Sequence, residues 1–416
     1  MASASSSAPA RRGNPLAGKG WPVGFTVAAI VVFILFQWVL PNMSGPLPDF
    51  FDRWLPLSVV NQCIIWAIMA IGLNIVVGYA GLLDLGYVAF WAIGGYTAGW
   101  FMSGFFTQVS VNVFGHAAAG QPAGFHINFW LVLVIAAAHC ALWGVLIGAP
   151  TLRLKSDYLA LVTLGFGEII PEIFKNGDDL DFPWAHHFNL SNGTRGITPV
   201  DAIPTGPFQY LSSDSLPIPA ELGPFDETIK FVVYSLIVAF VIFVSLRIRE
   251  GRLGRAWLAI REDELAASMM GVPLMRTKLA AYAVGAAIGG LGGVCYTTAV
   301  GGVAAEDFAF SSSIILLAMV VLGGMGNVWG VLVGALVLQW INGNGLKEIG
   351  NTITSVTGHD INFPSYNFLV FGAILILMML FRREGLLPES RTRQVLQEPE
   401  RGQLESVGAD LEGERV

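Results

Sequence analysis

The chain carries repeated apolar runs, and most of them approach the roughly 20 residues that cross the hydrocarbon core of a bilayer as a helix. Only 13% of its 416 residues are Asp, Glu, Lys or Arg, about half the share usual in soluble domains. The sequence therefore predicts an all-α fold, a polytopic membrane helical bundle of about ten transmembrane helices. The predicted helices are 21–40, 54–78, 86–106, 127–149, 157–174, 229–247, 278–300, 312–323, 327–342 and 365–382.

Basic residues near the ends of these runs predict the sidedness of the bundle, because cytoplasmic loops concentrate Lys and Arg. The stretch 312–342 could form one long helix or two helices folded at Gly323–Gly326. All the basic clusters fall on one side only if this stretch crosses twice, which places both termini in the cytoplasm. The clusters are Arg11, Arg12 and Lys19, then Arg153 and Lys155, then Arg247, Arg249, Arg252, Arg255 and Arg261, and lastly Arg382 and Arg383.

The same count of membrane crossings divides the chain into a membrane domain and flanking segments. Residues 1–20 form a cytoplasmic N-terminal segment, and no small-residue cleavage site follows the first apolar run, so we expect an uncleaved helix there. The membrane domain, 21–382, includes a cytoplasmic loop at 248–277 and an external loop at 175–228. The external loop holds eight acids against two bases, with seven prolines, and is typical of a cap or docking loop. The acidic tail, 383–416, has too few large apolar residues to order itself.

Composition and missing motifs exclude several classes of function. The formal net charge is −7, so nucleic acid is not an expected partner. The three cysteines, Cys63, Cys140 and Cys295, lie in apolar stretches and form no disulfide framework. No phosphate-binding loop, zinc motif or nucleophile elbow is present, so we expect no cofactor, no metal and no enzymatic activity. If ATP drives transport here, another chain must hydrolyse it.

The glycine-rich segment Gly78–Gly86 separates the second and third predicted helices and contains Asp84. An acid at membrane depth costs at least a few kcal/mol, about 2.5 to 3.5 on insertion scales, and so marks a candidate functional site. If the glycines unwind the helix inside the protein, backbone groups and Asp84 could line a path for a polar solute. Alternatively, the segment is a tight turn at the cytoplasmic surface, with Asp84 capping the third helix.

A second acid, Glu168, lies about 11 residues into the fifth predicted helix, just before Pro171. That distance corresponds to roughly 16 Å along the helix, near the middle of the bilayer. We expect its side chain to face the bundle interior or a water-filled cavity. A structural bond to a neighbouring helix is as good an explanation as a role in transport.

The loop Arg247–Lys278 contains a segment rich in helix-forming residues that ends at Gly271, with Pro273 beyond it. Its apolar residues Trp257, Ile260, Leu265 and Met269 recur on one side. A short helix with such a stripe beside charges is suited to docking in a groove of a cytoplasmic partner. The alternative is an interfacial helix that lies on lipid.

Five segments together resemble one family, the M-type permease subunits of branched-chain amino acid ATP-binding-cassette importers. The resemblance spans roughly residues 55–380, and its motifs occur in the family's order. The segments are Gly78–Gly86, Arg153–Ile170, Asn192–Ile197, Gly254–Gly271 and Ala318–Gly326.

The resemblance implies a permease in the bacterial inner membrane that works by alternating access. Its implied partners are an H-type permease, two cytoplasmic ATPase subunits, a periplasmic binding protein that delivers leucine, isoleucine or valine, and membrane lipid. Two other functions stay open: import of urea or short amides by the same architecture, and a proton-coupled secondary transporter.

The resemblance also implies roles for residues of this sequence. The loop 248–277 would contain the helix that couples the permease to the ATPases, although Gly271 lies seven rather than six positions after Glu264. The polar candidates near the translocation path are Asn74, Asp84, Glu168 and Asn327. The coupling candidates are Arg255, Trp257, Ile260, Arg261, Glu262, Asp263, Glu264, Ala267 and Gly271.

Overall fold

The structure, a computed structural model, describes residues 24, 27, 31, 32, 50, 51, 53–107, 110–113, 123–154, 156–182, 185–203, 227–357, 363–382 and 385–387. The chain divides into two units, residues 1–49 and 50–416. In the first unit the four described residues are helical. The predicted segment 1–20, most of the predicted helix 21–40, the middle of the external loop and the tail from residue 388 lie outside the described residues.

Helices form most of the second unit, and we number them in chain order. They are α1 Leu57–Asn74, which continues as a π-helix Ile75–Tyr79, α2 Val88–Phe101, α3 Phe129–Thr151, α4 Ser156–Lys175, α5 Glu227–Glu250, α6 Arg252–Glu262, α7 Glu264–Met269, α8 Leu274–Val300, α9 Phe310–Gly323, α10 Val328–Trp340, which continues as a π-helix Ile341–Gly345, α11 Leu346–Thr357 and α12 Asn367–Phe381.

Four of the described helices are long and apolar enough to cross a membrane: Leu57–Tyr79, Phe129–Thr151, Glu227–Glu250 and Leu274–Val300. Two shorter apolar helices, α9 and α12, accompany them. The prediction of a helical membrane bundle is therefore confirmed. The predicted third helix, 86–106, is the shorter α2, because the chain before Val88 is irregular and the chain after Phe101 enters a short strand.

The core is centred on α8, which contacts α1, α2 and α3. Glycines allow these helices to approach at backbone distance, as is common in membrane bundles. A Cβ added to Gly94 would lie 2.5 Å from the Cα of Gly290, and one added to Gly290 would lie 2.6 Å from Sγ of Cys140. The abundant glycine of this sequence is thus used in close helix packing.

The stretch 312–342 folds back on itself at its glycines, as the sequence predicts. Helices α9 and α10 are joined by a turn in which Gly324 and Gly326 have φ of 109° and 89°, values that only glycine adopts at low cost. A Cβ on Gly323 would overlap the backbone of Gly330. The two helices therefore form a tight hairpin.

Short strands at one end of the bundle accompany the helices, and the sequence did not predict them. Strands β1 and β2 both pair with β3, and β4 pairs with β5. With two to four residues each, they are too short to show an alternating sequence pattern. The strands are β1 Met102–Ser103, β2 Ser110–Val113, β3 Gly124–Ile127, β4 Leu180–Phe182 and β5 Ala185–Phe188.

A buried hydrogen bond ties this strand-bearing end together. His126 of β3 and Asp201 are both 2% exposed, and their Nδ1 and Oδ2 atoms are 2.7 Å apart. The other end of the bundle carries α6, α7 and the α9–α10 turn, and we call it the basic end. The predicted coupling loop lies there.

Candidate coupling surface and translocation face

Helix α6 is anchored to the bundle by its apolar residues. Trp257 is fully buried, and its Nε1 donates to the carbonyl oxygen of Thr277 over 2.8 Å. Ile260 is also buried. The predicted stripe therefore does not present Trp257 and Ile260 to a partner, which corrects that part of the docking hypothesis. The reason is that α6 packs on the start of α8 and covers its apolar face there.

Helix α7 is a short, well-capped helix that follows directly. The Oδ1 atom of Asp263 accepts from the backbone N–H groups of Leu265 and Ala266, at 2.8 and 2.9 Å. Glu264 forms an ion pair with the buried Lys278, with 2.5 Å between Oε1 and Nζ. Ala267 is buried as well. These contacts fix the orientation of α7 on the bundle.

The fixed orientation of α7 turns three apolar side chains outward. Leu265, Met269 and Met270 are 68%, 78% and 85% exposed, and we call this group the apolar knob. Gly271, with φ of 82°, ends the segment. Unbranched methionine side chains adapt to a partner's surface, so the knob is a candidate docking element. Met270 was not predicted from the sequence, because its role depends on how α7 sits on the bundle.

The charged coupling candidates of this loop differ in their contacts. Arg255 is exposed and donates through Nη1 to the carbonyl oxygen of Glu250 over 2.8 Å. Glu262, Asp263 and Glu264 are exposed. The three acids directly precede Leu265 in the chain, so exposed charges border the knob on that side.

Arg261 points into the bundle instead of outward. Its Nη1 donates to the carbonyl oxygen of Gly78, in the π-helical end of α1. A Cβ added to Gly81, whose φ is 70°, would lie 2.9 Å from Cγ of Arg261. Tyr79 lies on the same π-helix, and the guanidinium of Arg249 is 5.8 Å from the centroid of its ring. The predicted coupling loop therefore contacts the end of α1 that the sequence predicts to be cytoplasmic.

Asn74 and Asn327 hold the α9–α10 turn. Asn74 is fully buried, and its Oδ1 accepts from the N–H of Gly326 over 2.9 Å. Asn327 caps α10 through Oδ1 and donates from Nδ2 to the carbonyl oxygen of Leu387 over 2.8 Å. Both side chains therefore hold the turn, while Nδ2 of Asn74 has no hydrogen-bond partner among the described residues. Their place on a translocation path stays a prediction.

Residues 80–87 form a re-entrant segment between α1 and α2. A Cβ on Gly86 would overlap the carbonyl oxygen of Thr163, seven residues into α4, which is roughly 10 Å along that helix. The N–H of Leu85 donates to Oγ1 of Thr163 over 3.1 Å. The segment therefore packs against α4 inside the bundle, as the interior alternative for Gly78–Gly86 requires, and its role in lining a path stays a prediction.

Asp84 is buried within this segment. Its Oδ1 accepts from the N–H of Gly86 over 2.9 Å, and among the described residues its Oδ2 has no partner. Helix α2 has Tyr87 at its N-cap and no side-chain cap, so the cap predicted for Asp84 is wrong. The exposed residues of the segment are Gly81 and Leu83.

Glu168 lies on the surface of the described residues and not in the bundle interior, so of the two predicted surroundings the water-filled cavity stays a prediction. Its side chain is exposed and has no hydrogen bond or ion pair with the described residues. Two other exposed side chains of α4, Tyr158 and Leu161, precede it. The buried face of α4, at Thr163 and Gly167, packs on the re-entrant segment.

A family profile described as the branched-chain amino acid transport system permease component matches residues 55–379. The chain belongs to this permease family. The high-affinity branched-chain amino acid transport permease proteins LivM of Salmonella typhimurium and of Escherichia coli K12 are each 33% identical to it, over 80% of this chain and 70% of theirs. The LivH permease of Salmonella typhimurium is 26% identical over 50% of this chain and 61% of its own. No solved structure matches.

The matched range of this permease contains α6, α7, the re-entrant segment and α4, so the resemblance to M-type permeases is confirmed. Sequence reasoning missed Leu83, Gly165 and Met270 as surface residues of these elements. Their residue types carry no signal, because a leucine, a glycine or a methionine is expected anywhere in a membrane helix. Only their positions in the fold make them candidates.

Proposed function

We propose that this chain is the M-type permease subunit of an ATP-binding-cassette importer that carries leucine, isoleucine and valine into the cytoplasm. Its partners are an H-type permease, two cytoplasmic ATPase subunits and a periplasmic binding protein, in a bacterial inner membrane. The observation that carries the proposal is the bond from Arg261 of the coupling loop to Gly78, at the base of the re-entrant segment. This bond joins the proposed ATPase contact to the proposed path.

The basic end is the cytoplasmic end in this proposal, and the apolar knob is the part of the chain that enters a groove on an ATPase subunit. An anchored base and an exposed tip are what a mechanical coupling element requires. Trp257 and the Glu264–Lys278 ion pair provide the anchor. Leu265, Met269 and Met270 provide the tip.

Transmission then runs from α6 to α1. When the ATPases close, the knob moves with them, and Arg261 pulls on the π-helical end of α1. A π-helix is a low-stability variant of the α-helix that is common at functional sites. The re-entrant segment follows Tyr79 directly, so this displacement reaches Leu83 and Asp84.

The path lies beside the exposed face of α4 and the exposed residues of the re-entrant segment. Irregular backbone at membrane depth is tolerated only where protein or water covers it. The exposed carboxylate of Glu168, on a helix that the sequence predicts to cross the membrane, likewise requires a polar surrounding. The H-type permease would cover this face, and the solute would pass between the two subunits.

ATP-driven uptake of labelled leucine by proteoliposomes that contain the whole complex tests the function. We expect uptake that requires ATP, the binding protein and both permeases. The triple variant Leu265→Ala, Met269→Ala, Met270→Ala should abolish uptake and release the ATPases during purification. The control Leu253→Ala changes an exposed leucine of α6, outside the knob, and should leave both unchanged.

Uptake by the wild-type complex that survives loss of the ATPases and collapses with an uncoupler would contradict the proposal. Uptake of labelled urea in place of leucine would contradict the substrate assignment. Normal leucine uptake by the triple variant would contradict the coupling role of the knob.

A further inference from the structure

Helix α5 exposes its side chains along one stripe. Leu236, Phe240, Phe243 and Arg247 follow one another at spacings of 4, 3 and 4, so they lie on one side of the helix. The three apolar side chains are 56%, 60% and 60% exposed, and Arg247 is exposed as well. Because α5 is one of the helices long and apolar enough to cross a membrane, this stripe is an apolar surface at membrane depth that ends in a cation.

Arg247 marks the border of the membrane on this helix. The sixteen residues before it, 231–246, contain no charged side chain, whereas the nine residues 247–255 contain four arginines and one acid, Glu250. The positive-inside argument places this border on the cytoplasmic side. Along the helix, Phe240 lies about 10 Å and Leu236 about 16 Å from Arg247. Half of the hydrocarbon core is roughly 15 Å thick, so the stripe extends over the cytoplasmic leaflet.

Arg247 makes no hydrogen bond or ion pair with the part of the chain that the structure describes. Two neighbouring arginines are engaged instead. The guanidinium of Arg249 lies over the ring of Tyr79, and Arg255 donates to a backbone carbonyl oxygen. An arginine at a membrane border is within reach of lipid phosphate groups, which accept charge-assisted hydrogen bonds from its guanidinium.

A groove opens beside the apolar part of the stripe, between α3, α5 and α8. Its volume is about 440 Å³, and Leu236 and Phe240 of the stripe line its α5 side. Val134 and Ala137 line it from α3, and Leu291 lines it from α8. The groove therefore begins about 10 Å from Arg247 along α5, at the depth where the end of an acyl chain from the cytoplasmic leaflet lies.

The side chains of this groove suit an acyl chain better than a helix of another subunit. Helices that pack together in membranes meet at small residues, as Gly94 and Gly290 do in the core of this bundle. The groove is lined by Trp, Leu, Val, Ile and Phe side chains, and Ala137 is the single small residue among them. A flexible chain can lie between such bulky side chains, whereas a helix backbone cannot approach them closely.

We propose that this face of α5 binds an anionic phospholipid of the cytoplasmic leaflet. The phosphate accepts hydrogen bonds from the guanidinium of Arg247, one acyl chain lies on Phe243, and the end of that chain enters the groove at Phe240 and Leu236. The positive potential of the other arginines favours an anionic headgroup over a neutral one. Because α5 leads directly into α6, the lipid stabilises the helix end from which the predicted coupling loop starts. This site is independent of which solute is transported.

The phosphate contact is tested by the lipid that remains on the purified complex. Mass spectrometry of the whole complex, exchanged into a mixture of phosphatidylglycerol and phosphatidylethanolamine, should find phosphatidylglycerol enriched. Arg247→Gln should remove one bound phosphatidylglycerol per copy of this chain, because the charge-assisted bond is lost, and Arg247→Lys should retain most of it. Arg276→Gln is the matched control and should leave the bound lipid unchanged. Arg276 is also exposed and without a partner among the described residues, but it lies at the start of α8.

The groove is tested with Ala137→Phe, and Ala138→Phe is the matched control. Ala137 lines the groove, whereas the next residue, Ala138, is exposed on α3 outside it. Ala137→Phe should occupy the space of the acyl chain and lower phosphatidylglycerol retention severalfold. Ala138→Phe adds the same ring and should leave retention unchanged. If the ring at Ala137 disturbs the fold, the Arg247 variants still test the site, because an exposed arginine can be replaced without repacking.

Three outcomes would overturn the lipid site. One is equal retention of phosphatidylglycerol by the wild type and by Arg247→Gln. Another is an equal loss in Arg247→Gln and Arg276→Gln, which would indicate only a diffuse attraction between charges. The third is release of another subunit of the complex by Arg247→Gln, which would make Arg247 a protein contact. None of these measurements involves leucine, so failure of the lipid site is distinguishable from failure of the proposed function.

Discussion

At the scale of single residues, the predicted coupling loop contacts the helical bundle through a few defined polar contacts. Arg261 binds a backbone carbonyl, and Gly78 and Gly81 are the positions where a side chain would obstruct this contact or its neighbours. The sequence predicts Arg261 as a coupling residue. It could not indicate that the guanidinium points inward, because the partner, Gly78, is 183 positions away.

We predict that Arg261→Ala separates ATP hydrolysis from transport. Loss of the bond to Gly78 frees the π-helical end of α1 from α6, so uptake should fall strongly while binding-protein-stimulated ATPase activity remains. Arg261→Lys keeps a cationic donor and should restore part of the uptake. Parallel assays of ATPase rate and leucine uptake on the same preparation measure this. A proportional loss of both activities in Arg261→Ala would argue against a transmission role.

Gly78 is predicted to be intolerant of a methyl group. A Cβ there would overlap Oδ1 of Asn74 and lie 2.6 Å from the N atom of Gly326. Gly78→Ala should therefore lower the free energy of unfolding by about 1–3 kcal/mol, the usual cost of overpacking. Gly372→Ala, at an open helix position, should be neutral or slightly stabilising. Thermal unfolding in detergent compares the two, and equal melting temperatures would contradict the packing argument.

At the scale of elements, the loop between α5 and α8 shows which parts of a helix sequence periodicity can predict and which it cannot. Helical periodicity correctly predicted a helix that ends near Gly271, but it treated α6 and α7 as one element. Asp263 separates the two helices, because its side chain caps the start of α7. After this break, Trp257 and Leu265 no longer share a face, and one is buried while the other is exposed.

We predict that the cap of α7 matters for ATPase attachment. Asp263→Ala removes two hydrogen bonds to the backbone and should destabilise α7 by about 1 kcal/mol. The knob then loses its fixed orientation, so fewer ATPase subunits should co-purify with the permease. Asp263→Ser retains a capping oxygen and is the control. Equal recovery of ATPase with the Ala and Ser variants would show that the cap has no part in docking.

At the scale of the whole molecule, contacts between helix ends show which loops share an end of the bundle. Labelling can then measure which end faces the cytoplasm. Contacts such as the bond from Asn74 to Gly326 and the bond from Arg261 to Gly78 gather the basic loop, the end of α1 and the α9–α10 turn at one end. The strands and Asp201 lie at the other end. The positive-inside argument assigns the first of these ends to the cytoplasm.

Cysteine labelling tests this sidedness. Cys63, Cys140 and Cys295 are at most 4% exposed, so they should not react with an impermeant maleimide. Met270→Cys should be labelled only from the cytoplasmic side, and Val300→Cys, at the other end of α8, only from the outside. Labelling of both from the same side would contradict the proposed topology.

The amino-acid sequence by itself determined the membrane class, the helical fold and the family, and it predicted the location of the coupling loop. These properties depend on apolar run length, on the sidedness of charge and on local motifs, all of which are contiguous in the chain. The tertiary structure decided which side chains face outward. Asn74 and Trp257 are buried, while Glu168, Leu83 and the apolar knob are exposed. Burial of a side chain depends on contacts between helices that are distant in sequence, and a uniformly apolar helix carries no pattern that reveals them.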